Sequence, residues 1–123
     1  MAKTILIVDD SSSLRTVVRI AFTRAGYDVL EAVDGVQALK VMDGPTRVNL
    51  VVCDVNMPNM DGITFVTTLK QHAKHKFVPV IMLTTEGQEE KKNQGRLAGA
   101  KAWIVNPFNP PQLLDAVSKL IQP

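Results

Sequence analysis

Five short runs of β-branched and other apolar residues punctuate the chain: TILIV (4–8), YDVLEA (27–32), NLVVC (49–53), VPVIML (78–83) and KAWIV (101–105), their starts 22 to 29 residues apart. No other feature constrains the fold so tightly. Three of the runs are nearly continuous apolar blocks, the pattern of strands covered on both faces, and a parallel return between such strands needs a crossover long enough for a helix. The intervening segments supply the covers. Leu14, Val17, Val18, Ala21 and Ala25 recur at offsets of 3, 4, 7 and 11, and Leu113, Leu114, Val117, Leu120 and Ile121 form a similar stripe. Segments 35–43 and 62–74, each opened by Asp-Gly, complete the rhythm, and Gly26 and Gly44 are placed as helix stops. Strands alternating with helices at this spacing predict an α/β fold, a doubly wound (βα)5 domain on a five-stranded parallel sheet.

One predicted helix stands apart. Residues 87–98 (GQEEKKNQGRLA) offer only Leu97 and Ala98 as apolar anchors and contain Gly95, so this segment is expected to be loosely held. Weakly anchored elements are where switching occurs, although a plain solvated helix has the same composition.

Composition narrows the function. A length of 123 residues allows one domain, read here as spanning 1–123, and 46% hydrophobic with 21% charged residues is an ordinary globular balance. Fourteen basic against twelve acidic side chains leave +2, too little to hold a polyanion, so nucleic acid is not the expected partner. Charged residues or prolines interrupt every apolar run before the roughly 18 residues of a membrane helix. The single cysteine, Cys53, sits inside an apolar strand and reads as core packing; with no signal-peptide pattern at the start, the expected compartment is the cytoplasm.

In open parallel sheets chemistry collects at the carboxyl ends of the strands. Here those ends carry Asp9-Asp10, Asp54, Thr84-Thr85-Glu86 and Asn106-Pro107. If the first and third strands are neighbours, three carboxylates share one crevice and repel one another unless a cation neutralises them. Mg2+, which takes a few carboxylate oxygens and keeps its waters, answers that need. Capping competes as an explanation: Asp10 or Ser12 for the first helix, Asp61 for the third, and Thr85 with Gln88 as a capping box. Asp61 and Thr85 read as caps; Asp9, Asp10 and Asp54 read as a site.

Other motifs carry less. The stretch from Gly95 to Ala102 has the wrong glycine spacing for a phosphate-binding loop, and Asp9-Asp10 would repel a flavin phosphate. His72 and His75 lie in a lysine-rich stretch with no Cys or carboxylate at ligand spacing, which predicts a solvated helix end and not a metal site. No hydrolytic dyad or triad is visible.

Taken together, ILIVDDSSSLR, CDVNMPNMDG, MLTTE and GAKAWIVNPF resemble the receiver domains of two-component response regulators, most closely the single-domain chemotaxis type, over essentially the whole chain. The resemblance implies a flavodoxin-like, CheY-like fold with strand order 2-1-3-4-5. It implies Asp54 as phosphoacceptor from a CheA-like histidine kinase, and Asp9, Asp10, Asp54 and the Asn56 backbone carbonyl around Mg2+. Thr84 matches the hydroxyl that contacts the phosphoryl group, and Trp103 matches an aromatic switch position, though it reads equally as core. Signalling is then expected through protein binding by a monomer, at the face of the 87–98 segment, the last strand and the last helix. The chain ends just after that helix, which favours a chemotaxis regulator acting on the flagellar motor switch over one with an output domain.

Asn106 departs from the family pattern, which has a lysine before this proline. An amide still donates hydrogen bonds, but a charge-assisted contact is about twice as strong, so switching is expected to be weakened. A cis peptide before Pro107 is a further expectation from the resemblance. A stand-alone phosphorelay intermediate and a pseudo-receiver binding module remain alternatives. An aspartyl phosphatase is disfavoured because Asn56 stands where a second acid would serve. The chain is not expected to be an enzyme beyond its own phosphorylation and dephosphorylation.

Overall fold

The computed structural model describes residues 2–85, 93, 94, 96, 98–106 and 108–121, with Thr85 and Asn106 as backbone only. The elements run β1 (Thr4–Val8), α1 (Ser12–Arg24), β2 (Asp28–Ala32), α2 (Gly35–Met42), β3 (Leu50–Asp54), α3 (Gly62–Lys70), β4 (Val80–Thr85), β5 (Ala102–Asn106) and α4 (Pro110–Leu120). All pairings are parallel and the order is β2-β1-β3-β4-β5, the doubly wound arrangement expected from the sequence. Of the 87–98 segment, residues 93, 94, 96 and 98 are helical; the rest of that expectation, with Glu86, Gln88 and Pro107, lies outside the described residues. Among the described residues no helix is long and apolar enough to cross a membrane.

Strand alternation sorts the apolar runs into two cores. Ile5, Ile7, Leu50, Val52, Ile81 and Leu83 point to one face, where Val18 and Phe22 of α1 and Leu113 and Val117 of α4 cover them. Leu6, Val8, Val51, Cys53, Val80 and Met82 point to the other, under Ala38 and Met42 of α2 and Phe65, Val66 and Leu69 of α3. Both faces of the central strands are therefore dry, which is why β1 and β3 lack a polar alternate.

Local chemistry sets the helix starts. Ser11, Asp34, Asp61 and Asn109 each accept a hydrogen bond from the backbone N–H three residues on, at 3.2, 2.8, 2.7 and 2.8 Å. Ser11, between the two residues considered from sequence, is thus the cap of α1: it is extended immediately before the helix, which begins at Ser12. Gly26 takes a left-handed φ of +94° just past α1, as a helix stop should.

Two boundaries differ from the sequence expectation. The stripe on α1 is rotated: Val18 and Phe22 are buried, whereas Val17 is 52% exposed and Ala25 lies at the exposed C-cap. Leu14, Val18 and Phe22, four apart, face the sheet, and Val17 borders the opening at the strand ends. The third helix stops at Lys70 instead of running to 74, and the chain continues in tight turns closed by i to i+3 bonds, including His72 N–H to Leu69 and His75 N–H to His72. Lys70 holds this return by donating from Nζ to the carbonyls of Val78 and Lys76, at 2.6 and 3.1 Å.

Candidate functional site

The strand order reverses direction at β1, so a crevice opens beyond the ends of β1 and β3. Register levels its walls. Val8 is paired with Cys53, which brings the next residues, Asp9 and Asp54, out side by side, and Asp54 is paired in turn with Leu83, one residue before Thr84. Val8 and Cys53 face the α2–α3 core, so alternation turns Asp54 toward the start of α1. There Asp9, Asp10, Asp54, Asn56, Thr84 and Val17 are among the residues lining an opening of about 530 Å³.

Carboxylate oxygens of Asp9, Asp10 and Asp54 lie within 4.8 Å of one another. Their environments differ in consequence. Burial, then the charge of Asp9, raises the Asp54 pKa to about 6, against the lowering effect of the Asn56 and Val55 backbone N–H groups. Asp9 is raised as well, first by burial and then by Asp10, and the Ser11 N–H at 2.8 Å only partly relieves it. Asp9 is 2% exposed, and its Oδ2 is buried with no hydrogen-bond partner among the described residues. A buried carboxylate oxygen with two like charges beside it and no donor is the arrangement a small dication satisfies.

The scaffold around the acids is braced from two sides. Arg15 donates from Nη1 to the Asp9 carbonyl at 2.6 Å and from Nε to Glu31 at 3.1 Å, tying the end of β1 to β2 through α1. Beyond β3, Asn59 adopts a left-handed φ of +66° and donates to Asp34 at 2.7 Å, fastening the loop after Asp54 to the cap of α2. That bond and, more strongly, the Gln37 N–H hold the Asp34 carboxyl below its ordinary pKa. Gly62 closes the loop by packing against the Asp54 backbone carbonyl, where any Cβ would collide.

The remaining sequence candidates fall in different places. Thr84 is buried on the wall of the acidic opening. Trp103, half-buried, packs against the α2–α3 core from β5 and lines a separate cleft with Arg96 and Lys101. Asn106 ends β5 level with Thr85. Cys53 is fully buried, and burial pushes its thiol pKa up, consistent with a core role. Sequence reasoning missed one grouping: His72 and His75 do meet a carboxylate, Asp43, at 3.8 and 3.2 Å. The two histidines precede any local clue, because Asp43 reaches them only through the packing of α2 beside α3.

The family model for the response regulator receiver domain matches residues 5–118. The chain is 36% identical over 118 residues to the chemotaxis protein CheY1 of Helicobacter pylori, covering 95% of each. It is 35% identical over 122 residues to the phosphate regulon transcriptional regulatory protein PhoB of Pseudomonas aeruginosa, covering 99% of this chain and 53% of that protein. The solved structure of the chemotaxis response regulator CheY4 of Vibrio cholerae superposes with a TM-score of 0.91 at 40% identity, covering 98% of this chain and all of that one. Switch-point crevice, register and sequence likeness thus converge on one assignment: the chain belongs to the response regulator receiver domains of two-component signalling, and is CheY-like.

Proposed function

We propose that this chain is a Mg2+-dependent phosphoacceptor switch that takes a phosphoryl group from a histidine kinase on Asp54 and signals by binding a protein partner in chemotaxis. The observation that carries it is the buried, unpartnered Oδ2 of Asp9 within 4.8 Å of the Asp10 and Asp54 carboxylates. Asp9, Asp10, Asp54 and the Asn56 backbone carbonyl would hold the ion. Mg2+ held there would offset the negative charge of the carboxylates and of an incoming phosphoryl group.

With a pKa of about 6, Asp54 is mostly ionised at neutral pH yet more basic than an ordinary aspartate, which suits a nucleophile. Its oxygen forms the new O–P bond as the P–N bond of the donor phosphohistidine breaks, and the leaving imidazole takes up a proton. Thr84, on the wall of the same opening, is the hydroxyl for the transferred group, and Asn106, level with Thr85 on the next strand, holds the sequence position where the family pattern has a lysine. Trp103 is the reporter. The chemotaxis output and a motor-switch partner are supported by likeness to chemotaxis proteins along 95% of their length.

Intact mass after incubation with Mg2+ and a small acyl-phosphate donor tests the reading: one phosphoryl group is expected, lost in Asp54→Asn and in chelator. An unmodified wild type, or an equal gain in the variant, overturns it. Asn106 favours a second reading, a pseudo-receiver that binds without switching; no mass gain together with unchanged Trp103 emission selects that one.

A further inference from the structure

At the end of the sheet away from the acidic crevice, where α2 and α3 finish, Asp43, His72 and His75 converge. We propose that these three side chains form a second metal site, for Zn2+, that clamps the end of α2 to the turns following α3. Ligand atoms of all three lie within 4.8 Å of one another, and both Nε2 atoms approach the same Oδ1 of Asp43, from 3.2 Å for His75 and 3.8 Å for His72. A tetrahedral zinc with bonds of about 2.0–2.1 Å holds its ligand atoms about 3.3 Å apart, so the His75–Asp43 edge at 3.2 Å already fits, the His72–Asp43 edge at 3.8 Å needs to close by about half an ångström, and the edge between the two imidazoles starts within 4.8 Å.

The local backbone explains why the two imidazoles stand together. Past Lys70 the chain is closed by i to i+3 bonds, among them His75 N–H to His72 at 3.0 Å, and in that geometry residues three apart eclipse. The rings stack accordingly, with centroids 4.6 Å apart and planes at 27°. A hydrogen bond accounts for His75 alone; at 3.8 Å, His72 is too far to donate to the carboxylate. One anchor is buried and two are open: the His75 side chain is 6% exposed, while His72 and Asp43 are 49% and 62% exposed. Buried His75 fixes the position, and the exposed pair leaves a fourth place for water.

The donor set separates this site from the first. Two imidazoles and one carboxylate are zinc or late-transition-metal ligands, whereas three carboxylates with no nitrogen suit Mg2+. Asp43 is the C-cap of α2, its N–H already bonded to the Leu39 carbonyl, so the carboxylate sits on a settled backbone. A cavity of about 350 Å³, with Met42, Arg47, Val48, Lys74, His75 and Val78 among its lining residues, adjoins the cluster and gives the ring room to adjust.

The untagged 123-residue chain is titrated with ZnCl2 by calorimetry in excess Mg2+, with thermal unfolding in parallel. We expect one Zn2+ per chain, a higher Tm with zinc, and affinity weaker by at least about tenfold in both His72→Ala and Asp43→Asn. Both variants alter exposed side chains, and Asp43→Asn keeps an oxygen for His75, so folding is preserved. Co2+ in place of Zn2+ is expected to give intense visible bands of tetrahedral coordination, absent in His72→Ala. No zinc uptake by the wild type, or uptake unchanged in His72→Ala and Asp43→Asn but lost in Asp54→Asn, overturns the proposal.

Discussion

Asp9 and Asp54 are held where ionisation opposes folding. Both have pKa values raised above the unfolded value of 3.8, Asp54 to about 6, so the folded chain binds protons more tightly than the unfolded one. Stability without metal is therefore greatest below about pH 4 as far as these groups decide it, and falls as pH rises toward 6 and above. Because Asp54 is only partly buried, screening by solvent reduces the loss to about 1–2 kcal/mol. Urea unfolding in chelator across pH 4–7.5 checks this: Asp54→Asn is expected to flatten most of the decline, and Mg2+ to restore stability at pH 7. Stability rising through that window in chelator would contradict the electrostatic account.

Elements are positioned by a few contacts that leave no slack. Gly62, first residue of α3, lies so close to the Asp54 carbonyl and the Met82 methyl that a Cβ would meet backbone, which cannot rotate away. Gly62→Ala is expected to cost about 3 kcal/mol or more in urea unfolding and to displace the end of β3 on which the nucleophile sits. The helix α1 offers a contrast between Val17, which belongs to the apolar stripe read from the sequence, and Phe22, which lies outside it. Phe22 is fully buried between α1 and the sheet, so Phe22→Ala is expected to cost about 3–5 kcal/mol. Val17→Ala, at a 52% exposed position beside the acidic opening, is expected to change stability by less than about 0.5 kcal/mol. A large loss in Val17→Ala with little in Phe22→Ala would mean that α1 packs in the register its sequence stripe suggests. That stripe misleads because Val17 and Val18 are equally apolar, and only the path of the sheet beneath the helix selects one of them.

Across the whole molecule, β5 runs beside β4, with Val105 level with Thr84 and Asn106 level with Thr85, and the chain has asparagine, not lysine, at 106. Asn106→Lys is expected to enlarge the phosphodonor-induced change in Trp103 emission and to strengthen phosphorylation-dependent partner binding by severalfold; an unchanged emission response would show that a different group couples the site. The strand blocks, their spacing and the acids at their ends were legible from the residues in order, since two-sided burial leaves an unbroken apolar run and a carboxylate after such a run has few structural uses. The doubly wound class followed from that rhythm, the strand order from resemblance. That Asp9, Asp10 and Asp54 share a site was readable on the condition that the first and third strands are neighbours; what the linear chain withheld was the geometry by which distant residues meet. The Val8–Cys53 register that levels Asp9 with Asp54, the orphaned Oδ2, the Arg15 brace and the meeting of Asp43 with two histidines all arise when helices pack on a sheet. Periodicity and end residues are local, written in the order of side chains, and with a neighbouring-strand assumption they reach from Asp9 to Asp54; the meeting of Asp43 with His72 across 29 positions has no such local sign and exists only once burial has folded the chain on itself.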